Sequence, residues 1–293
     1  MTFDEYIAAQ TKLIDAALDR WVPAETAGPT TIHRAMRYSL FAGGKRIRPL
    51  LAVAAANAVS DAPLGIDSCA CVLELIHTYS LIHDDLPALD NDDLRRGRPT
   101  CHKVFGDAMA ILAGDALLTL AFEVLAKLDG PSDRRVRLVD ELATASGTVG
   151  GMIGGQVHDI EGEGKFPTAH LLDSIHRAKT GALLRCSVRM GAIYGGACEA
   201  ELEALTEFGE RIGLAFQIVD DVLDVEQSSE ALGKTAGKDA EQKKITFPAV
   251  YGIQRSREMA EQERIAAHLA LRRFDERAER LRELADRIVN RTA

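Results

Sequence analysis

Aromatic residues are scarce, 5% of 293 residues with a single tryptophan, and alternating runs of β-branched residues are missing. A β-sandwich or barrel would need such runs. Proline occurs only nine times, at positions 23, 29, 49, 63, 87, 99, 131, 167 and 248. Cysteine occurs five times, as Cys69, Cys71, Cys101, Cys186 and Cys198, an odd number without the close pairs of a zinc site. A disulfide framework is therefore not expected, and Cys69 and Cys71, one residue apart in an apolar segment, read as small core residues. Basic charge is in deficit, 35 Lys and Arg against 44 Asp and Glu for a net −9, which argues against a general nucleic-acid binder. No uninterrupted apolar run approaches the ~18 residues of a membrane span, and the start MTFDEYIAAQ lacks the basic flank and apolar run of a signal peptide. The expectation is a cytoplasmic protein without a membrane span. What is abundant is hydrophobic residues, 46%, beside 27% charged ones, enough to bury a core and to exclude global disorder.

Between the prolines lie long stretches rich in Ala, Leu, Glu and Arg, which are helix formers. Over 66–83, Ile66, Cys69, Val72, Leu73, Ile76, Tyr79 and Ser80 recur at three- and four-residue steps with few charges, the pattern of a buried helix. Segments 107–128, 136–158, 170–194, 200–226 and 256–290 repeat it, the last as an outer helix with a buried stripe of Leu281, Leu284 and Ile288. This predicts an all-α bundle of roughly ten helices. Polar breaks near 22–30, 43–48, 61–65, 91–107, 129–133, 161–169 and 226–247 are too short for linkers, so one domain is expected over 1–293.

Two acidic clusters stand out. In LIHDDLPALDNDDLRRGRPTCH, Asp84, Asp85, Asp90, Asp92 and Asp93 crowd the end of an apolar helix. That end is the negative pole, where each acid costs about 0.3–1 kcal/mol unless a cation reverses the sign. In FQIVDDVLDVEQ, Asp220 and Asp224 share one helix face a turn apart, beside Asp221. Hard oxygen donors with few competing His or Cys point to Mg²⁺, which shares its shell with substrate phosphates. Six residues separate Asp84 from Asp90, about −120° off one face of an ideal helix, so a straight helix cannot aim both at one ion. Pro87 supplies a break, and a bulge through Leu86 to Leu89 would bring Asp90 back beside Asp84. Two such clusters suggest two metal-binding walls serving one cavity. Cations follow: Lys45, Arg46 and Arg48 in GGKRIRP, then Arg95 and Arg96, then Lys179 in KTG, Lys234 and Lys244. Arginine forks and lysine charges suit a diphosphate, while GGKRIRP lacks the full P-loop pattern of an NTPase.

The ordered set GGKRIRP, LIHDDLPALDNDDLRRGRPTCHKVFG, GGMIGGQVHDIE, KTG, FQIVDDVLDVEQ and LGKTAGKDAEQKKITFP resembles the short-chain trans-isoprenyl diphosphate synthases, most like the bacterial farnesyl diphosphate synthases, over nearly the whole chain. The resemblance implies an isoprenoid-synthase helical bundle around a central cavity, a homodimer, and Mg²⁺ dependence with three ions per active site. It implies head-to-tail condensation of isopentenyl diphosphate with dimethylallyl or geranyl diphosphate to give farnesyl diphosphate, with geranylgeranyl diphosphate synthesis as the nearest alternative. Two other classes are a metal-dependent phosphohydrolase, suggested by the doublet His83-Asp84, and a non-catalytic synthase subunit, although both acidic motifs are intact.

Carried over by residue, the resemblance implies metal binding by Asp84, Asp85, Asp90, Asp220, Asp221 and Asp224. The isopentenyl diphosphate site would comprise Gly44, Lys45, Arg48, His77 and Arg96, and the allylic diphosphate site Arg95, Lys179, Thr180, Gln217, Lys234 and Lys244. Catalysis would rest on Asp84, Asp85, Lys179, Thr180, Gln217 and Asp220. Gln156 and Asp159 match the family's GQxxD segment, whereas Val157 and His158 depart from it and leave His158 without a role. Tyr79 and Ser80, five and four residues before Asp84, would form the floor for the growing chain. Five residues at 1.5 Å put Tyr79 ~7.5 Å below the metals, where its bulk favours a C15 product over C20.

Overall fold

Thr2 forms a capping box with Glu5, accepting the Glu5 N–H at 3.3 Å while its own N–H donates to the Glu5 carboxylate at 2.8 Å, and so starts α1 (Phe3–Trp21). The computed structural model describes residues 1–61, 63–226 and 244–291. They fall into two compact units, Met1–Leu50 with Gly65–Val136, and Leu51–Leu64 with Arg137–Ala293.

In the first unit, α1 is followed by α2 (Thr30–Leu40), the start of α3 (Ile47–Val59), and α4 (Ile66–Asp84). The sequence pattern places this last helix within a residue of its observed ends. It is apolar around most of its circumference and is correspondingly buried, with Cys69, Val72, Leu73, Leu75 and Ile76 fully covered, and it packs against α1, α2 and the later helix α6. Beyond α4, a two-residue turn at Arg96 and Gly97, both at positive φ (53° and 72°), joins β1 (Leu94–Arg95) to β2 (Arg98–Pro99). Positive φ at both central positions is the primed hairpin geometry that matches strand twist. Next come α5 (Cys101–Phe105) and α6 (Asp107–Ala126).

α6 modifies the expectation about long apolar segments, since by length and composition it alone among the described helices could cross a membrane, with a mean hydropathy of 1.8 over its best window. Asp107, Asp115 and Glu123 interrupt it, which is why no uninterrupted run is visible in the sequence. It packs along α4, while Ile111 and Leu112 on its other side stand about half exposed, 45% and 50%.

In the second unit the predicted helix 136–158 is two helices, α7 (Ser132–Ser146) and α8 (Met152–Gly162). Gly147, Gly150 and Gly151 break the path, Gly150 at a φ of 68° that L-residues rarely adopt. The predicted 170–194 helix is α9 (Ala169–His176), a π-helical turn at Arg177–Gly181, and α10 (Ala182–Gly195). α11 (Glu199–Glu226) matches its expected span, and α12 (Phe247–Tyr251) follows. The charged 256–290 segment also divides, into α13 (Ile253–Ala270) and α14 (Glu279–Val289), with 3₁₀ turns between them; its stripe of Leu281, Leu284 and Ile288 is buried as expected. Ile218, Val219 and Leu223 of α11 pack with Leu172, Ile245, Phe247 and Ala260, a core that fixes the face of α11. Among the described residues no disulfide forms; Cys69, Cys71, Cys101 and Cys186 are buried and Cys198 is exposed.

Candidate active site

The first acidic motif begins where α4 stops. Pro87 cannot continue the helix, and the chain turns back so that the Asp90 N–H donates to the Asp84 carbonyl at 2.8 Å and the Asp92 N–H to the Asp85 carbonyl at 3.2 Å. The bulge drawn from the spacing is thus present, and it sets Asp90 beside Asp84. Asp85 is buried, and Arg95 holds its carboxylate through Nε at 3.0 Å and Nη2 at 2.5 Å. Burial pushes the Asp85 carboxyl up from its ordinary range, opposed by the Arg95 guanidinium. Asp92, also buried, stands 3.6 Å from the same Nη2.

The GGKRIRP and RRGRP segments meet in this unit. The Arg96 Nη1 donates to the Gly43 carbonyl, its guanidinium lies against Gly44, and the φ of 135° at Gly44 is one that favours glycine. His77 is held well below its ordinary pKa, first by burial, then by the charges of Arg48, Arg96, Arg95 and Arg46. It is therefore a neutral imidazole at pH 7, amid guanidinium groups from both motifs. Lys45 is exposed. Arg46 has a different task from the one its motif suggests: it is 4% exposed and binds Glu74 at 2.7 Å, Asp15 at 2.9 Å and the Leu40 carbonyl at 2.9 Å.

Below the motif, Tyr79 is buried with no hydrogen-bond partner for its hydroxyl among the described residues, and its ring meets His83 edge-on at 5.8 Å. Burial, then the charge of Asp84, push the phenol up to about 12. Ser80 donates to the His77 carbonyl at 2.9 Å. His83 turns away to α6, its Nε2 3.0 Å from the Ile111 carbonyl, over Gly114, where any Cβ would collide with the imidazole. That contact occupies one of its two ring nitrogens.

In the second unit, α11 carries the other motif. Asp220 is exposed and bound by Arg291 at 2.5 Å. Asp221 is buried; its Oδ1 accepts the Gln217 amide at 2.7 Å and its Oδ2 the Phe247 N–H at 2.9 Å. Asp224 is buried one turn further on. Lys179, within the π turn, donates to Asp159 Oδ2 at 2.6 Å, and Lys244 Nζ lies 3.9 Å from the same oxygen. Burial would raise the Asp159 pKa, but Lys179, then Lys244 and His176, hold it below the ordinary range. A Cβ on Gly155 would strike the Lys179 backbone, so α8 lies directly on the π turn and brings the GQxxD and KTG segments together. Thr180 is half-buried, Gln156 has a buried Oε1 without a hydrogen-bond partner among the described residues, and His158 is exposed. Lys234 lies outside the described residues.

Sequence reasoning missed His176. It is buried, and its Nε2 lies 3.2 Å from Asp221 Oδ2. No spacing rule links residues so far apart in sequence; its place three residues before Lys179 was the one available hint. Among the described residues no group of three or more His, Cys, Asp or Glu side chains is assembled to hold a metal ion. The donors fit a hard divalent ion in kind, being carboxylates throughout, with Asp84 and Asp90 drawn together by the backbone.

Residues 29–287 match the polyprenyl synthetase family. The chain is 48% identical over 261 residues to a farnesyl diphosphate synthase of Geobacillus stearothermophilus, covering 88% of this chain and 87% of that protein. It is 51% identical over 282 residues to a chloroplastic heterodimeric geranylgeranyl pyrophosphate synthase large subunit of Arabidopsis thaliana, covering 93% and 75% respectively. Further Arabidopsis relatives carry the geranylgeranyl name. The fold superposes on the crystal structure of a geranylgeranyl pyrophosphate synthetase from Pyrococcus horikoshii with a TM-score of 0.90 and 32% identity, covering 99% of this chain and 98% of that one.

Proposed function

The chain belongs to the polyprenyl synthetase family and is a short-chain prenyltransferase, and from that premise we propose that it condenses isopentenyl diphosphate with an allylic diphosphate to give geranylgeranyl diphosphate. The names of the similar relatives support the C20 product better than C15. A second reading, farnesyl diphosphate, is favoured by one observation: the Tyr79 ring is buried beneath Asp84 and backed by His83, a rigid obstruction to a lengthening chain.

The observation that carries the condensation is that carboxylates of both acidic motifs lie beside cations, Arg95 on Asp85 and Arg291 on Asp220, while Lys179 and Lys244 meet on Asp159 of the GQxxD segment. Family membership implies dependence on a divalent metal. Mg²⁺, three ions by resemblance, would be held by Asp84, Asp85, Asp90, Asp220, Asp221 and Asp224, and would supply charge neutralisation for the departing diphosphate. The chain's own groups do the rest. Arg95, Lys179 and Lys244 bind the allylic diphosphate, with Lys234 by resemblance, and stabilise the charge that grows on it as the C–O bond breaks. Gly44, Lys45, Arg48 and Arg96 hold isopentenyl diphosphate, and neutral His77 donates a hydrogen bond there without adding charge. The Gln217 amide and the Lys179 and Thr180 carbonyls face the cationic intermediate in this reading, and apolar walls keep water from it. Both acidic motifs act on the same leaving group. A homodimer and a cytoplasmic location belong to the same proposal; a second copy would cover Ile111 and Leu112 of α6.

Purified protein is incubated with labelled isopentenyl diphosphate, Mg²⁺ and each of dimethylallyl, geranyl and farnesyl diphosphate, and the hydrolysed products are sized. A dominant C20 alcohol is expected. A dominant C15 alcohol establishes the second reading instead, under which Tyr79→Ala lengthens the product. Phosphate release without incorporation of isopentenyl units overturns the condensation altogether.

A further inference from the structure

His176 closes α9 immediately before the π turn and belongs to none of the acidic or basic motifs. It is only 6% exposed, and among the described residues its Nε2 has no formed hydrogen bond, although Asp221 Oδ2 is 3.2 Å away. A buried imidazole nitrogen left off-line from a carboxylate is costly unless the contact tightens at some stage of the working cycle. The ring is held in this pose by stacking on Phe247, with centroids 5.3 Å apart and planes 20° from parallel. The backbone N–H of that same Phe247 donates to the same Asp221 oxygen. Phe247 therefore holds one carboxylate oxygen through its backbone N–H and keeps His176 poised beside that same oxygen, while Gln217 fixes the other.

We propose that His176 is a positioning residue, which orients Asp221 and, through Phe247, keeps the Lys244–Phe247 segment in register with α11 so that Lys244 remains at Asp159. This rests on the reading that the second acidic motif serves the allylic diphosphate. Outer partners of a ligating carboxylate commonly set affinity by 10–100-fold. Loss of the imidazole N–H should therefore weaken the hold on the allylic diphosphate and leave the isopentenyl site, built in the other unit, unchanged.

The test compares His176→Phe, which keeps a stacking ring and loses the N–H, with His176→Gln, whose amide nitrogen reaches as far as Nε2. Binding of inorganic diphosphate with Mg²⁺ is measured by calorimetry, and KM is measured for each substrate separately. The expected result is about tenfold weaker diphosphate binding in His176→Phe, a raised KM for the allylic substrate, an unchanged KM for isopentenyl diphosphate, and substantial recovery in His176→Gln. Wild-type binding in His176→Phe, an equal rise in both KM values, or no recovery in His176→Gln overturns the proposal. Should His176→Phe not fold, His176→Leu takes its place, since against His176→Gln, which equally lacks the ring, it isolates the N–H. It should show the same allylic-selective loss, and its absence overturns the proposal equally. If the wild-type protein itself shows no Mg²⁺-dependent diphosphate binding, the reading of the motif fails and the inference falls with it.

Discussion

Arg46 illustrates how one side chain can carry the signature of a ligand site and the function of a strut. It sits at a φ of 51°, between two residues expected at the isopentenyl diphosphate site, yet its guanidinium is spent on Glu74, Asp15 and the Leu40 carbonyl. Glu74 is itself 2% exposed on α4. Removing one partner of such a pair strands the other charge in a low-dielectric interior, typically a loss of about 3–5 kcal/mol. Glu74→Ala should therefore lower the unfolding free energy measured in urea by that much, with the midpoint falling at an unchanged slope, and a loss under about 1 kcal/mol would show the pair to be solvated. By charge and neighbouring glycines Arg46 looks like Arg48, and only the resemblance left it out of the site, because those are local signals whereas burial against Glu74 is a tertiary fact. His83 is similar: its proximity to Asp84 suggested a metal role, and the contact of its Nε2 with the Ile111 carbonyl of α6 is a tertiary fact that no spacing rule reveals. The Asp84–Asp90 return, by contrast, was legible, because helix geometry forbids both carboxylates on one face and Pro87 allows the bend that solves it.

At the scale of elements, periodicity located α4, α6 and α11 closely because each keeps an apolar repeat unbroken from end to end, with no break of the backbone at a glycine inside it. It failed over 136–158, where apolar residues continue in phase through Gly147, Gly150 and Gly151 although the backbone does not. Glycines also decide how closely helices approach. Gly191 and Gly195, one turn apart on α10, lie on the backbone of α3 at Ala52 and Ala56, and a Cβ on Gly191 would overlap the Ala52 carbonyl oxygen. On an open helix, Gly→Ala gains about 1 kcal/mol. At Gly191 the methyl must instead push two backbones apart, and the expected change is a loss of about 1–3 kcal/mol. The sign is the test: if Gly191→Ala raises the unfolding free energy in urea, α3 and α10 do not pack in this way.

For the molecule as a whole, the decisive question is whether two acidic motifs, one in each compact unit, serve one diphosphate. Each is legible in sequence as a carboxylate set that would repel without a cation, and each is seen with its own basic neighbours, but common purpose is a property of the reaction. Kinetics can read it as coupling. Asp84→Asn and Asp224→Asn should each lower kcat by about 10²–10³, the scale on which one group stabilising a developing anion is felt. If both act on the same leaving group, the first loss already dismantles much of what the second would remove, so the double variant should fall well short of the product of the two factors. Groups working on separate ligands would lose activity independently, and their factors would multiply. Melting curves of the three variants without magnesium exclude unfolding as the cause. Full multiplicativity in variants that remain folded would dissolve the single-leaving-group mechanism while leaving each motif free to bind metal on its own.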